Sequence, residues 1–243
     1  MSGIPLTVSR EVHVPGSEGR AVYASATYAE TQGETLRERL MFEHMDWDRE
    51  FIARLSTDNG RTWRRQPGRF AAHPDVPGEH WPLQTFLDPR RGRLVELSMT
   101  FERGREGQIM GIGNRAQRTR RAWVRLSLDG GQSWTSHDQI VDERPDYDSS
   151  HWSPGAEYGS VGGAPSGQPV WLPDGSFALG FVFTLPDAPA ANCTARDEEL
   201  YSIVRYGRAC STEDGGSLRW RFGNEISVEC PKAGGGCCEP AAI

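Results

Sequence analysis

Ser56-Thr57-Asp58-Asn59-Gly60-Arg61-Thr62-Trp63 and Ser127-Leu128-Asp129-Gly130-Gly131-Gln132-Ser133-Trp134 share one pattern, Ser-x-Asp-x-Gly-x-(Ser/Thr)-Trp. A looser third copy, Ser211-Thr212-Glu213-Asp214-Gly215-Gly216-Ser217-Leu218-Arg219-Trp220, carries two extra residues before its Trp. The pattern suits a hairpin turn. An Asp carboxylate accepts nearby backbone N–H groups, and Gly supplies the positive φ that other residues avoid. The closing Trp places a large apolar ring beneath the turn. Three copies in one chain predict a repeat architecture built from all-β units.

The motif resembles the Asp-box, or bacterial neuraminidase repeat, of the sialidase superfamily. The resemblance implies a six-bladed β-propeller in which each box joins the third and fourth strands of a blade. It also implies that the boxes hold the fold together and touch no substrate. Their starts at 56, 127 and 211 give steps of 71 and 84 residues. A blade of four ordinary strands needs only about 40–50 residues, so the surplus predicts long loops, where propellers carry function.

At this spacing, 243 residues supply about three blades and the start of a fourth. The final stretch Gly234-Gly235-Gly236-Cys237-Cys238-Glu239-Pro240-Ala241-Ala242-Ile243 reads as a Gly-rich loop entering an apolar strand. The expectation is a single domain over 1–243, a partial propeller forming the N-terminal part of a larger protein.

Composition fits turns and packed sheets, with 28 Gly, 16 Pro and 8 Trp. A net charge of −6 argues against nucleic acid as a partner. The basic run Arg115, Arg118, Arg120, Arg121, Arg125 reads as a solvated loop and strand face, and Asp142 to Asp148 as a solvated acidic loop. The apolar run Phe177 to Phe183 is too short to span a bilayer, and no signal peptide is visible, leaving the compartment open. Five cysteines, 193, 210, 230, 237 and 238, form no metal-binding spacing with the scattered histidines. Neither a metal nor a cofactor is expected. Ala21–Ala29, Phe51–Leu55, Arg93–Thr100, Ala122–Leu126, Val170–Leu172, Ser176–Phe183 and Tyr201–Tyr206 read as strands, with Pro173-Asp174-Gly175 as a hairpin turn.

The resemblance implies a retaining glycosidase chemistry with an Asp acid/base, a Tyr nucleophile activated by a Glu, and three arginines on the substrate carboxylate. A guanidinium pairs with a carboxylate in a two-pronged fashion. A Tyr attacking an anionic sugar avoids the repulsion that a carboxylate nucleophile would meet, and is a known departure from the two-carboxylate scheme. Matched residue by residue, Glu239 follows the third box where the family's Glu belongs. Asp46 and Asp48 lie 10 and 8 residues before the first box, the place of the acid/base. The first arginine maps to Arg10 or Arg20, although the family's Phe/Tyr-Arg-Ile-Pro motif is missing here, which opens the sugar specificity. The Tyr and the other two arginines would lie beyond Ile243. Trp152 and Tyr158, in a Gly-rich stretch between the second and third boxes, suit stacking on a sugar face.

Three functions follow as expectations. One is a sialidase-like glycoside hydrolase acting on terminal sialic acid or a related sugar of glycoconjugates. Another is a non-catalytic propeller that binds glycans or protein partners. The third is a propeller enzyme acting on another polysaccharide.

Overall fold

The computed structural model describes residues 13–15, 20–45, 48–66, 79–101, 120–143, 164–184, 202–223 and 226–227. They form three antiparallel sheets, each built from consecutive strands. The first contains β1 (Ala21–Tyr28), β2 (Leu36–Met45), β3 (Asp48–Ser56) and β4 (Arg64–Gln66), in that order. The second contains β5 (Glu79–Asp88), β6 (Arg93–Phe101), β7 (Arg120–Ser127) and β8 (Asp138–Gln139). The third contains β9 (Ala164–Trp171), β10 (Phe177–Thr184), β11 (Ser202–Ser211) and β12 (Leu218–Phe222), with β13 (Ile226–Ser227) paired to β11. Three successive four-stranded meanders are the blade pattern of a β-propeller. The protein is all-β, a partial propeller.

Each box joins the third and fourth strands of its sheet, at 56–64, 127–138 and 211–218. In the first, Asp58 accepts the Thr62 N–H at 2.8 Å and the Thr62 hydroxyl at 2.6 Å, while the Ser56 hydroxyl accepts the Gly60 N–H at 2.8 Å. The second repeats this wiring with Asp129, Ser133, Ser127 and Gly131. In the third, Asp214 instead accepts Gly216 N–H at 3.0 Å and the Thr212 hydroxyl at 2.6 Å. The two extra residues thus move the turn one step along and leave Ser211 to another partner.

The repeat extends below the boxes. In the first sheet, buried Glu38 on β2 accepts Arg54 Nε of β3 at 2.6 Å, and the Arg54 guanidinium sits 5.1 Å over the Trp63 ring. In the second, buried Glu96 accepts Arg125 Nε at 2.6 Å, and Arg125 sits 4.7 Å over Trp134. The third sheet puts Phe177 opposite Ala209 at the equivalent rungs, two residues before the box, and its Trp220 meets Phe177 edge to face at 5.7 Å. One architecture is filled with a buried ion pair twice and with aromatic packing once.

The sheets face each other in sequence. Between the second and third, Phe86, Val95, Leu97, Val124, Phe177, Phe181 and Trp220 form the main core. Arg93 of β6, 1% exposed, crosses this seam to donate to the Gly215 carbonyl at 2.5 Å and to the freed Ser211 hydroxyl. Asp88 neutralises it from its own sheet at 3.2 Å. Between the first and second sheets, Arg37 of β2 donates to the Gly130 carbonyl of the second box and to Gln66 Oε1 at 2.7 Å. Gly131, at φ 82°, suits the turn, and a Cβ there would also meet the Arg37 side chain.

Asp142 corrects the reading of 142–148 as a solvated loop. It is 1% exposed, bridges to Trp220, and accepts the Phe222 N–H at 3.4 Å, tying the end of the second sheet to β12 of the third. Residues 144–148 lie outside the described residues. The basic run is likewise only partly solvated, since Arg125 is consumed by Glu96.

Candidate functional site

Strand direction alone divides the sheets into two ends. In an antiparallel meander, the turn joining strands one and two lies at the same end as the turn joining three and four. The boxes therefore share an end with the turns 29–35, 89–92 and 172–176. That alignment holds across sheets, because Arg90 and Arg91 of the 89–92 turn donate to the Pro173 and Gly175 carbonyls at 2.9 and 3.3 Å. Every connection at this end is short.

The opposite end collects the long ones. Connections 67–78, 102–119, 140–163 and 185–201 all leave from and return to strand ends on that side, as does the brief 46–47 link. This end is the candidate site, since loops on a rigid scaffold are where binding and catalytic groups concentrate. Five of the seven candidate residues belong to it by connectivity. Asp46 falls between β2 and β3 in sequence, and Asp48 opens β3, its backbone paired with Met45. Arg20 immediately precedes β1. Trp152 and Tyr158 fall in the 140–163 connection. Asp46, Trp152, Tyr158, Arg10 and Glu239 themselves lie outside the described residues.

Arg20 is the one candidate whose side chain is described. Its Nη1 meets Glu50 Oε2 at 3.3 Å, with side-chain exposures of 31% and 52%. Arg65 approaches the same carboxylate at 4.0 Å. The pair is wet and therefore weak, worth about 0–1 kcal/mol. Nearby, Phe51 of the first sheet tilts against Trp81 of β5 at 6.4 Å between ring centroids, and Trp123 Nε1 donates to the Thr100 hydroxyl at 2.8 Å. First strands meet where Gln84 Nε2 of β5 donates to Gln168 Oε1 of β9 at 3.3 Å. Burial pushes the Asp138 carboxyl above its ordinary value, but Asp138 lies on the outermost strand of its sheet. Among the described residues, no group of three His, Cys, Asp or Glu side chains is arranged to hold a metal, and no helix is long and apolar enough to cross a membrane.

Sequence reasoning missed the buried arginines. Arg37, Arg93 and Arg205 are 6%, 1% and 8% exposed. Arg205, on β11 opposite Phe181, is the one set toward the long-connection end of its strand. No local signal distinguishes it from a solvated strand arginine.

No protein-family model and no curated protein matches the chain. Solved structures do resemble it in shape. A Hadza microbial sialidase superposes with a TM-score of 0.49 and 14% identity, over 85% of this chain and 38% of that one. Inulosucrase from Halalkalicoccus jeotgali, bound to kestose, gives 0.47 and 16%, over 89% and 55%. Trypanosoma rangeli sialidase in complex with sialic acid gives 0.44 and 12%, over 90% and 32%. The chain spans between about a third and about half of these proteins. The propeller assignment itself rests on the chain's own three sheets and their equivalent boxes.

Proposed function

We propose that this chain is the box-bearing part of a sialidase-like glycoside hydrolase that acts on a terminal acidic sugar of glycoconjugates. The single observation that supports the reading is topological: in chain order Asp46, Asp48, Arg20, Trp152 and Tyr158 all fall at or between strand ends opposite the boxes. In this reading Asp46, with Asp48 as the neighbouring choice, protonates the departing glycosidic oxygen. Arg10 or Arg20 pairs with the sugar carboxylate. Trp152 and Tyr158 stack on the ring, and Glu239 polarises a Tyr nucleophile. Protonation matters most when the leaving group is a poor one.

The test uses the longest form of the protein and two substrates, an aryl sialoside and a natural sialyl-oligosaccharide. Glu239→Gln is expected to remove most turnover of both while leaving the thermal transition in place. Asp46→Ala is expected to spare the aryl substrate far more than the natural one. Equal loss on both substrates would shift the acid role to Asp48 or remove it from this link.

The non-catalytic alternative draws support from one observation, the Arg20–Glu50 pair, which occupies the guanidinium that a substrate carboxylate would need. Glycan binding without turnover, unchanged by Glu239→Gln, would favour it.

A further inference from the structure

Asn59-Gly60 is the one Asn-Gly step in the 243 residues, and it sits inside the first box. Asn59 is exposed, and at φ 55° it is the only non-glycine with positive φ among the described residues. The second box fills the same position with Gly130, at φ 65°. A side chain there carries a backbone cost that glycine escapes. What the first box gains is a tether: the Tyr28 hydroxyl donates to Asn59 Oδ1 at 2.8 Å, tying β1 to the turn.

An asparagine followed by glycine can modify itself, because no Cβ hinders the approach of the next nitrogen. The Gly60 nitrogen attacks Asn59 Cγ. The N–Cγ bond forms, the Cγ–Nδ2 bond breaks, and ammonia leaves with the proton that Gly60 gave up. Water then opens the resulting five-membered imide at either carbonyl, giving aspartate or isoaspartate at position 59. In balance, one side-chain amide and one water are consumed, and one carboxylate and one ammonium are produced.

The folded box holds each group that this ring closure must move. Gly60 N–H donates to Ser56 Oγ at 2.8 Å, and the Ser56 hydroxyl donates on to Asp58 at 2.7 Å. Asn59 N–H donates to the Glu34 carbonyl at 2.8 Å, and its side-chain oxygen is held by Tyr28. Closing the ring swings the Asn59 side chain over the following peptide, which takes Oδ1 from Tyr28 and the Gly60 N–H from Ser56. We propose that Asn59 is a self-modification site, latched by Tyr28 and Ser56, that converts to aspartate and isoaspartate when the first box opens. Isoaspartate routes the main chain through the side-chain carboxyl and adds one carbon to it. The turn then loses the spacing that puts the Gly60 N–H on Ser56. The second box, with Gly130 there, has no side-chain amide at that position, so the change loosens the first sheet and spares the second.

Incubating the full chain in mildly alkaline buffer tests it, with the tryptic peptide Leu55 to Arg61 followed by mass spectrometry and chromatography. The readout is the mass gained when the amide becomes a carboxyl, together with a split into two products. In urea, where the box is undone, conversion is expected to run about tenfold or more faster than in the folded chain. Without urea, Tyr28→Phe is expected to speed it roughly twofold to tenfold, the worth of one hydrogen bond, and Ser56→Ala about tenfold or more. Tyr28 is 46% exposed, so its variant should keep the thermal transition of the parent. Asn59→Gly, which copies the second box, is expected to abolish the mass gain. No conversion in urea, or conversion in the folded parent as fast as in urea, would overturn the proposal. So would an unchanged or slower rate in Tyr28→Phe, or a mass gain that survives Asn59→Gly. None of these readouts depends on hydrolysis of a sugar, so they stand apart from the test of Glu239 and Asp46.

Discussion

Between the second and third sheets, Phe86, Phe177, Phe181 and Trp220 close a dry aromatic layer, with ring centroids 5.2 to 5.7 Å apart. Between the first and second, contact runs through Arg37, through Arg39 donating to the Pro82 carbonyl at 2.6 Å, and through a small cluster around Trp81 and Met99. Both seams use an arginine to reach the next sheet's box, yet the energetics differ. Apolar burial contributes roughly 25 cal/mol per Å², while a typical net hydrogen bond contributes only about 1 kcal/mol. The second and third sheets should therefore behave as one cooperative unit, with the first docked more weakly and leaving an open groove. A propeller can thus keep the same blade topology while varying what fills each seam.

The strongest challenge to that contrast is Trp220→Ala. The ring is 1% exposed and meets Phe177, Phe181 and Phe222, so truncation leaves a cavity in the main core. A loss of about 3–5 kcal/mol in urea unfolding is expected. A loss under about 1 kcal/mol would show that the aromatic layer does not hold the two sheets together.

Next comes the paired comparison of the two crossing arginines. Arg93→Ala removes the nearer of the two guanidinium groups that pair with Asp88, itself 1% exposed, leaves Arg91 at 3.7 Å, and takes a donor from the Gly215 carbonyl. About 2–3 kcal/mol is expected, since removing the buried member of the pair partly uncovers the other charge. Arg37→Ala removes the donor to the Gly130 carbonyl and to Gln66, beside an open groove that water can enter. About 1–2 kcal/mol is expected. Equal losses would erase the distinction between a dry seam and a wet one.

The boxes were legible in the sequence because their chemistry is local: Asp58 finds its donors within four residues. The β9–β10 hairpin was legible for the same reason, through Pro173-Asp174-Gly175. Strand β2 was not. Leu36-Arg37-Glu38-Arg39 looks like a charged surface run, yet Arg37 and Glu38 are buried, and the partners that permit this sit 93 and 16 residues away in Gly130 and Arg54. Strand β5 hid behind Pro82, which the sheet accommodates at a register shift between Pro82 and Gln84. Asp142 misled in the same way as Glu38, its burial being made by β12 of the next sheet. The candidate site was visible only through a family resemblance, and connectivity supplies its end of the fold. Distances among its members depend on long connections, which local patterns do not determine.

The smallest expected effect separates the boxes by acid. Thr62 and Ser56 donate to Asp58 and hold its carboxyl down at about 2, from an ordinary 3.8. In the second box, Ser133, through hydroxyl and N–H, and Ser127 hold Asp129 lower still. A carboxylate whose folded value is depressed contributes stability that is fully present above its unfolded value and is lost as pH falls through the folded one. For Asp58 that window runs from about 4 down to about 2, and for Asp129 it extends further into acid. Acidification should therefore loosen the turn of the first sheet while the second box still holds. Carboxyl and amide NMR shifts followed from pH 5 to pH 1.5 report this directly: the Thr62 amide should move before the Ser133 amide, and Asp58→Asn should abolish the first step alone. Simultaneous titration of both boxes near 3.8 would mean that neither carboxylate is held by its turn. The difference between the first sheet and the other two would then rest on the seams alone.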